Sequence, residues 1–255
     1  MQRIMKSTIA AVCFATCLFM LNTALAQQTR QSGWYMGMNT FRLNDKFIFF
    51  FDAQLRSTDR WVQSETFIFR PAIGYFLNKR TILSLGVASV TNWRTLTYSD
   101  IGAPISIRDA VDDNRIWQQL VINQNIKNST VQHRLRLEER ALGTLTRKGN
   151  ELVLVDRKLN ARFRYFTRAI IPFNKQTTFS KGWFAALQNE FFFNVIGSAQ
   201  ANRKLFDQSR TYGGIGYRLS SKIDLEWGYM AQYIVQRQSP NTLNNIAQLS
   251  TFLRL

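Results

Sequence analysis

Strict alternation of apolar and polar residues is the feature that most restricts how this chain can fold. From Leu159 to Phe173 one set of alternate residues is mostly apolar, whereas the opposite set contains Arg162, Arg164 and Arg168. The stretch from Phe47 to Arg56 alternates in the same way. Because successive side chains of a β-strand point to opposite faces, this pattern predicts strands with one apolar and one polar face.

The alternation recurs along nearly the whole chain after its first thirty or so residues, and most repeats reach the roughly 9 to 11 residues that a tilted strand needs to cross a bilayer. We therefore predict an all-β fold, a closed antiparallel transmembrane β-barrel of about 10 to 12 strands. Aromatic residues near strand ends, among them Trp34, Tyr35 and Tyr212, favour this fold because they prefer the membrane–water boundary. The predicted strands lie near residues 33–42, 47–56, 64–76, 81–92, 115–126, 131–140, 158–173, 182–194, 207–219, 223–235 and 245–255.

The connections between these segments differ in length. Short ones are rich in Asn, Asp, Ser and Lys, which suit tight turns, and longer ones are predicted at 93–114, 141–157 and 195–206. If the short connections are periplasmic, the strand at 33–42 begins outside the cell. Bacterial single-chain barrels usually have an even number of strands, so we favour twelve strands, with the missing one expected within 93–108. The alternative is that one segment lies outside the barrel.

A soluble β-sandwich is the structural alternative, since it would also alternate. Three features count against it. Several segments are longer than ordinary globular strands, and the chain has only four prolines. The polar face is dominated by Arg, Gln, Asn and aromatic residues rather than by the Lys, Glu and Thr of a water-exposed sheet. A crowded polar lumen explains that composition better.

The N-terminus has the layout of a secretory signal peptide. Arg3 and Lys6 precede an apolar run from Ile9 to Leu21, and Ala24-Leu25-Ala26 supplies a small-residue cleavage site. We predict a cleavable signal peptide over residues 1–26, cut after Ala26, and an outer-membrane barrel over residues 27–255. An uncleaved N-terminal anchor is the alternative, although the apolar run is short for a spanning helix.

Removal of this segment changes both the cysteine count and the charge. Cys13 and Cys17 are the only cysteines, so the mature chain would have neither disulfides nor cysteine-ligated metal, and no cofactor is predicted. Two of 33 basic residues and none of the 16 acidic ones would be lost, which leaves 31 against 16, a net charge of +15. The expected partners are outer-membrane lipid and small anions or anionic polysaccharide; nucleic acid is not expected for an exported protein.

Several segments resemble a known family. The chain is similar to a domain-of-unknown-function family of uncharacterised outer-membrane proteins common in Bacteroidetes. The resemblance implies a barrel inserted by the barrel assembly machinery and supplies no activity. One departure is the final residue, Leu255, where such barrels usually carry a terminal aromatic. The matching segments are Phe41–Phe47, Phe51–Arg56, Arg70–Tyr75, Asn114–Leu120, His133–Arg140, Arg162–Tyr165 and Gly214–Arg218.

The polar faces of the predicted strands place ten arginines and five carboxylates in the lumen, a surplus of five positive charges. One hypothesis is structural: arginine–carboxylate pairs fill a narrow interior and hold the wall together. The other is functional: unpaired arginines on consecutive strands form a narrow pore or a binding site for anions. The candidate anion-binding residues are Arg134, Arg136, Arg162, Arg164 and Arg168.

Two further functions stay open. A non-conducting adhesion or envelope-scaffold barrel would act through its long loops. A lipid hydrolase would need the one histidine of the mature chain, His133, whose parity places it on the lipid face, but no serine partner can be identified. No catalytic residue is therefore predicted, and we expect the protein not to be an enzyme. Asp109, Asp112 and Asp113 could bind calcium weakly, although a solvated acidic loop is the preferred interpretation.

Overall fold

The computed structural model describes residues 28–58, 61–98, 105–149, 151–174, 178–238 and 240–255. Within them, eleven strands form one closed barrel, which confirms the predicted fold class. Each strand overlaps one predicted segment. The predicted signal peptide, with Cys13, Cys17 and the cleavage site after Ala26, lies outside the described residues. The strands are β1 (Gln28–Arg42), β2 (Phe47–Thr58), β3 (Gln63–Asn78), β4 (Thr81–Tyr98), β5 (Ile105–Ile126), β6 (Ser129–Lys148), β7 (Glu151–Pro172), β8 (Gly182–Ile196), β9 (Phe206–Ser220), β10 (Ile223–Ile234) and β11 (Thr242–Arg254).

The described residues contain one short 3-10 helix, Ser198–Gln200. No helix in these ranges is long and apolar enough to cross a membrane.

The strand count corrects the preference for twelve strands. Residues 93–108 supply no separate strand in the described part of the chain; instead β4 and β5 extend through them and pair as far as Tyr98 and Ile105. An odd number of consecutive antiparallel strands leaves the first and last running in the same direction. The barrel therefore closes through a parallel pair, β1 with β11, from Gln28–Thr242 to Thr40–Arg254. All the remaining pairs of neighbouring strands are antiparallel.

The two ends of the barrel differ. At one, which we call the turn end, the connections are residues 43–46, 79–80, 127–128, 173–181 and 221–222. Asparagines close two of these turns. The Asn44 side-chain oxygen accepts hydrogen bonds from the backbone N–H groups of Lys46 and Phe47, at 2.8 Å each. The Asn78 side-chain oxygen accepts one from the backbone N–H group of Arg80. β1 begins at the opposite end, the loop end, as the predicted turn arrangement requires, and β11 ends at the turn end.

The long connections predicted at 93–114 and 141–157 are wrong. They shorten to 99–104 and 149–150 because strands β4 to β7 continue into them. Beyond Asn92 and Arg140 the hairpins β4–β5 and β6–β7 no longer pair with the neighbouring strands. These parts extend past the barrel wall, where neither face has a lumen or a bilayer to meet. The period-2 pattern that marks the other strands is therefore weak there, and the sequence resembles a loop.

The barrel is apolar outside and mostly polar inside. On β4, Leu83, Leu85 and Val87 are exposed on the outer face, whereas Ser84 and Ala88 on the opposite face are buried. Not every aromatic residue lies in the outer girdles that the sequence suggests: Trp34 and Tyr212 face the lumen and are buried there. Trp61, Tyr75, Trp183, Trp227 and Tyr229 are exposed.

Two apolar clusters occupy part of the lumen. The Trp117 cluster contains Ile68, Ala72, Ala88, Val90 and Trp117, and the Trp34 cluster contains Trp34, Phe184, Ala186, Tyr212, Met230 and Ile246. Gly86 makes room for the first, since a Cβ there would lie 2.3 Å from the Trp117 ring. Gly216 likewise makes room for Phe184, because a Cβ at this position would lie 2.2 Å from the Phe184 ring. Gly214 and Gly216 on β9 therefore leave room for the aromatic side chains of Tyr212 and Phe184.

Candidate functional site

Two buried glutamates organise the charges of the lumen. Glu138 on β6 accepts hydrogen bonds from Arg115 at 2.7 Å, Arg162 at 3.3 Å and Arg164 at 2.9 Å. Glu138 is 1% exposed, so these guanidinium groups replace its hydration entirely. Arg164 also donates to Glu190, which links the two glutamates into one network across β5, β6, β7 and β8. Charge-assisted bonds of this kind are stronger than neutral ones.

Glu190 on β8 is shared by three arginines. Arg134 donates to it at 2.7 Å and Arg164 at 2.7 and 3.1 Å, while the Arg210 Nη1 lies 3.6 Å from its second oxygen. Three guanidinium groups thus face one carboxylate. Arg164 is also paired with Glu138, but Arg134 and Arg210 have no other carboxylate partner among the described residues. The Nε of Arg134 is buried without a hydrogen-bond partner.

Simpler pairs stand apart from this network. Asp52 on β2 and Arg70 on β3 form a buried pair with three hydrogen bonds of 2.7 to 3.0 Å. Arg168 on β7 reaches across to Glu226 on β10 and stacks on Phe252, 5.0 Å from the ring centre. At the turn-end rim, Asp224 pairs with Arg218 at 2.8 Å and with Arg254.

Three lumen arginines have no carboxylate within salt-bridge distance in the described ranges. Arg56 donates to Gln54 and stacks on Trp34, 4.0 Å from the ring centre. Arg136 donates to Gln119 and stacks on Trp117 at 4.1 Å, and Arg140 donates to Asn160 and Asn194. The ring faces and amide oxygens compensate only part of the charge, because neither carries a full negative charge.

The lumen consequently has a positive surplus. Among the described residues, and with Arg218 and Asp224 near the turn-end rim included, eleven arginines face seven carboxylates in the lumen, a difference of four positive charges; Arg254 at the same rim adds one more. The arginines are Arg56, Arg70, Arg115, Arg134, Arg136, Arg140, Arg162, Arg164, Arg168, Arg210 and Arg218, and the carboxylates are Asp52, Asp113, Glu138, Glu190, Asp207, Asp224 and Glu226.

The five candidate residues of the sequence analysis all point into the lumen, but they differ in their surroundings. Arg162 pairs with Glu138 and Asp207, and lies deep in the loop-end half. Arg136 lies against Trp117 without a carboxylate. Arg134, Arg164 and Arg168 line a cavity that the other two do not reach. The structure therefore brings three of the five together in the wall of one cavity.

This cavity has a volume of about 430 Å³, within the range of ligand pockets, and occupies the turn-end half of the lumen. Its lining contains seven arginines and two carboxylates, Glu190 and Asp224. Apolar side chains contribute much of the remaining wall. The arginines of the lining are Arg70, Arg134, Arg164, Arg168, Arg210, Arg218 and Arg254. We call it the turn-end cavity.

The loop-end half is filled by side chains. Asn160 binds the backbone carbonyls of Ile196 and Gly197 at 2.9 and 3.0 Å, and Asn202 binds those of Phe206 and Val235 at 2.9 and 3.0 Å. These amides attach the 197–205 connection to the loop-end parts of β7, β9 and β10. The residues of this half that are less than a tenth exposed include Ser32, Thr66, Asp113, Arg140, Asn160, Asn194, Asn202, Thr242 and Asn244.

Sequence reasoning missed part of this network. Asp113 and Arg115 on β5 form a pair at 2.6 Å, and Asp207 binds Arg162 at 2.9 Å. The available signal was the shared parity of Asp113, Arg115 and Trp117; the interpretation of 93–114 as a loop left Asp113 outside the predicted strand 115–126. The acidic residues considered for calcium are separated, since Asp113 points into the lumen, whereas Asp112 accepts a hydrogen bond from Thr91. No cluster of potential metal ligands occurs among the described residues.

His133 lies on the outer face, as its parity predicts. Its Nδ1 is 3.0 Å from the Tyr165 hydroxyl, and the two rings stack with centres 6.2 Å apart. The interaction joins β6 to β7 on the outside of the barrel. The contacts of His133 are therefore those of a cross-strand aromatic pair.

Comparison with known proteins gives a family and two similar folds. The family model described as "Protein of unknown function (DUF2490)" matches residues 31–244, in agreement with the resemblance to a family of unknown function. The β-domain of the Bordetella autotransporter BrkA is 9% identical with a TM-score of 0.46, over 75% of this chain and 78% of that one. The NanC porin is 9% identical with a TM-score of 0.48, and the match covers 88% of this chain and 98% of the porin chain. No curated protein is detectably similar in sequence.

Proposed function

We propose that this chain, which belongs to the family described as "Protein of unknown function (DUF2490)", is an outer-membrane barrel that binds a small anionic ligand in its turn-end cavity and does not conduct ions. The observation that carries this proposal is the lining of the cavity, with seven arginines against two carboxylates. A binding role, rather than catalysis, follows because the cavity offers charge and shape but no activated nucleophile with its base.

The membrane location is supported by the outer face. Exposed large apolar side chains follow alternate positions of successive strands, for example Phe67, Phe69 and Ile73 on β3 and Leu135 on β6. A soluble monomer rarely exposes an apolar surface that continues around its whole circumference. A closed barrel also leaves no unpaired sheet edge for lipid to meet, which is what a bilayer requires. Short turns on the periplasmic side are the usual arrangement, so the turn-end cavity would open toward the periplasm.

A charge placed in the middle of the outer face tests this location. Leu85 is 59% exposed near the middle of the part of β4 that pairs with β3, and Leu77, 53% exposed, lies next to the turn end. We expect Leu85→Arg to lower the free energy of unfolding in lipid vesicles by about 2–4 kcal/mol, and Leu77→Arg by about 0–1 kcal/mol, because the cost falls toward the interface. Equal effects at the two positions, measured by urea titration, would contradict a membrane-spanning outer face.

We expect no conductance because side chains fill the loop-end half of the lumen. Ions passing through would have to displace Glu138 and Asn160, each 1% exposed, from their hydrogen-bonded partners. Separating a buried carboxylate from its guanidinium groups is costly, so this network does not open readily. The proposed function is therefore a closed anion-binding site and not the anion pore that the sequence also allows.

Two measurements on the purified barrel test the proposed function. In planar bilayers we expect no steady current; a stable anion-selective conductance would contradict the closed lumen. In non-ionic detergent, inorganic phosphate should bind and stabilise the barrel against heating. Arg134→Gln should weaken phosphate binding about tenfold, because it removes one charge-assisted contact. Arg42→Gln, an exposed arginine paired with Asp45 at 3.0 Å, is the matched control and should leave the affinity unchanged.

A further inference from the structure

The methionines of this chain are concentrated at one place. Six methionines occur in the sequence, and the three that follow residue 27 are Met36, Met38 and Met230. All three line the turn-end cavity. Methionine is flexible and polarizable, and it is used where a surface must adapt to apolar groups of varying shape. A lumen that bound only a small inorganic anion would have no need for such a surface.

Aromatic and aliphatic side chains extend this apolar lining. Phe252 on β11, the neighbour of β1, contacts the cavity, as do Ile170 on β7 and Phe179 in the connection to β8. Phe179 is held in place by two contacts: its carbonyl accepts a hydrogen bond from Arg218 at 2.8 Å, and its ring packs edge-on against Phe184 at 5.9 Å. The apolar groups thus lie between the turn-end rim and the interior of the lumen.

The cationic part of the cavity lies around Glu190. Arg134, Arg164 and Arg210 share this carboxylate, and all four side chains line the cavity. Arg70 also lines it. Arg70, Arg134 and Arg164 carry like charges on one cavity wall, so an anion placed among them would offset their mutual repulsion as well as accept hydrogen bonds.

The combination of these two surfaces in one cavity points to a ligand with two parts. We infer that the ligand is an anionic single-chain amphiphile, with a phosphate or carboxylate head bound among Arg134, Arg164 and Arg210 and an alkyl chain packed against Met36, Met38 and Met230. This inference rests on the proposed function, because it specifies the ligand class of the same site. The volume of about 430 Å³ suits a single short or medium alkyl chain and excludes a two-chain lipid.

A homologous series of ligands tests the inference. Inorganic phosphate, ethyl phosphate, butyl phosphate and hexyl phosphate all stay monomeric in solution and would be titrated into the barrel in non-ionic detergent, with calorimetric detection. We expect the affinity to rise about fourfold for each added methylene, as burial of a CH₂ group predicts. Hexyltrimethylammonium, which has the same chain and the opposite charge, should not bind.

Substitutions separate the two parts of the ligand. Met38→Gln and Met230→Gln should flatten the dependence on chain length and leave the affinity for inorganic phosphate unchanged. Arg134→Gln should weaken every member of the series by the same factor of about ten. Circular dichroism would establish that each variant retains its strands.

The possible outcomes are distinguishable. Binding of inorganic phosphate with no gain on lengthening the chain would overturn the amphiphile and leave the proposed anion site intact. Failure of the whole series to bind would overturn both. Equal binding of hexyltrimethylammonium would show that the chain alone is recognised, and would overturn the arginine head site.

Discussion

Glu138→Gln is expected to cause the largest loss of stability of any single substitution in the lumen, about 5 kcal/mol. Glu138 is 1% exposed and bonded to Arg115, Arg162 and Arg164. The substitution keeps the shape of the side chain but removes its charge, so three guanidinium groups lose their shared counter-charge at once. No water is available at this depth to replace it, and breaking a buried ion pair commonly costs 3–5 kcal/mol.

Urea unfolding in lipid vesicles, followed by tryptophan fluorescence, would measure this loss. Asp45→Asn is the matched control, since Asp45 pairs with Arg42 at 3.0 Å but is fully exposed in the turn between β1 and β2. Its unfolding midpoint should not change. Equal midpoints for Glu138→Gln and the control would mean that Glu138 is not the centre of the network.

Asp52→Asn is expected to cost about 3 kcal/mol, and this loss should be recoverable. Asp52 is 3% exposed and is bonded to one arginine, Arg70, on the neighbouring strand. The lost charge leaves a single uncompensated guanidinium group. Replacing Arg70 by methionine in the same chain removes that group and fills its volume with apolar atoms, so Asp52→Asn with Arg70→Met should regain most of the stability.

A double-mutant cycle measures the recovery, and we expect a coupling energy of at least about 2 kcal/mol between Asp52 and Arg70, because Arg70→Met alone also leaves a buried charge unpaired. Glu138 provides the comparison. Removing Arg115 alongside Glu138→Gln should recover little, because Arg162 and Arg164 would still lack the shared carboxylate. Similar recovery in the two cases would contradict the distinction between an isolated pair and a shared glutamate.

The five anion-binding candidates show how far a local pattern can predict a site. Alternation correctly places the side chains of Arg134, Arg136, Arg162, Arg164 and Arg168 on the lumen side. It does not reveal that Arg164 joins Glu138 to Glu190, because the latter residue is 26 positions away in sequence. Nor does it separate Arg136, stacked on Trp117, from the three arginines that line the turn-end cavity. Those distinctions depend on which residues meet across strands.

The sequence by itself determined the strands, their inward and outward faces and the positive charge of the interior, because the two-residue period of a β-strand is a local property of the backbone. Only the tertiary structure decided three other matters: the parallel closure of β1 against β11, the extension of β4 to β7 beyond the wall, and the partition of the lumen into a filled loop-end half and a turn-end cavity. These depend on strand number and on the register between neighbouring strands. Register is fixed by pairing between parts of the chain that are distant in sequence. Each strand offers the same alternating pattern to any neighbour, so the pattern alone does not specify the pairing.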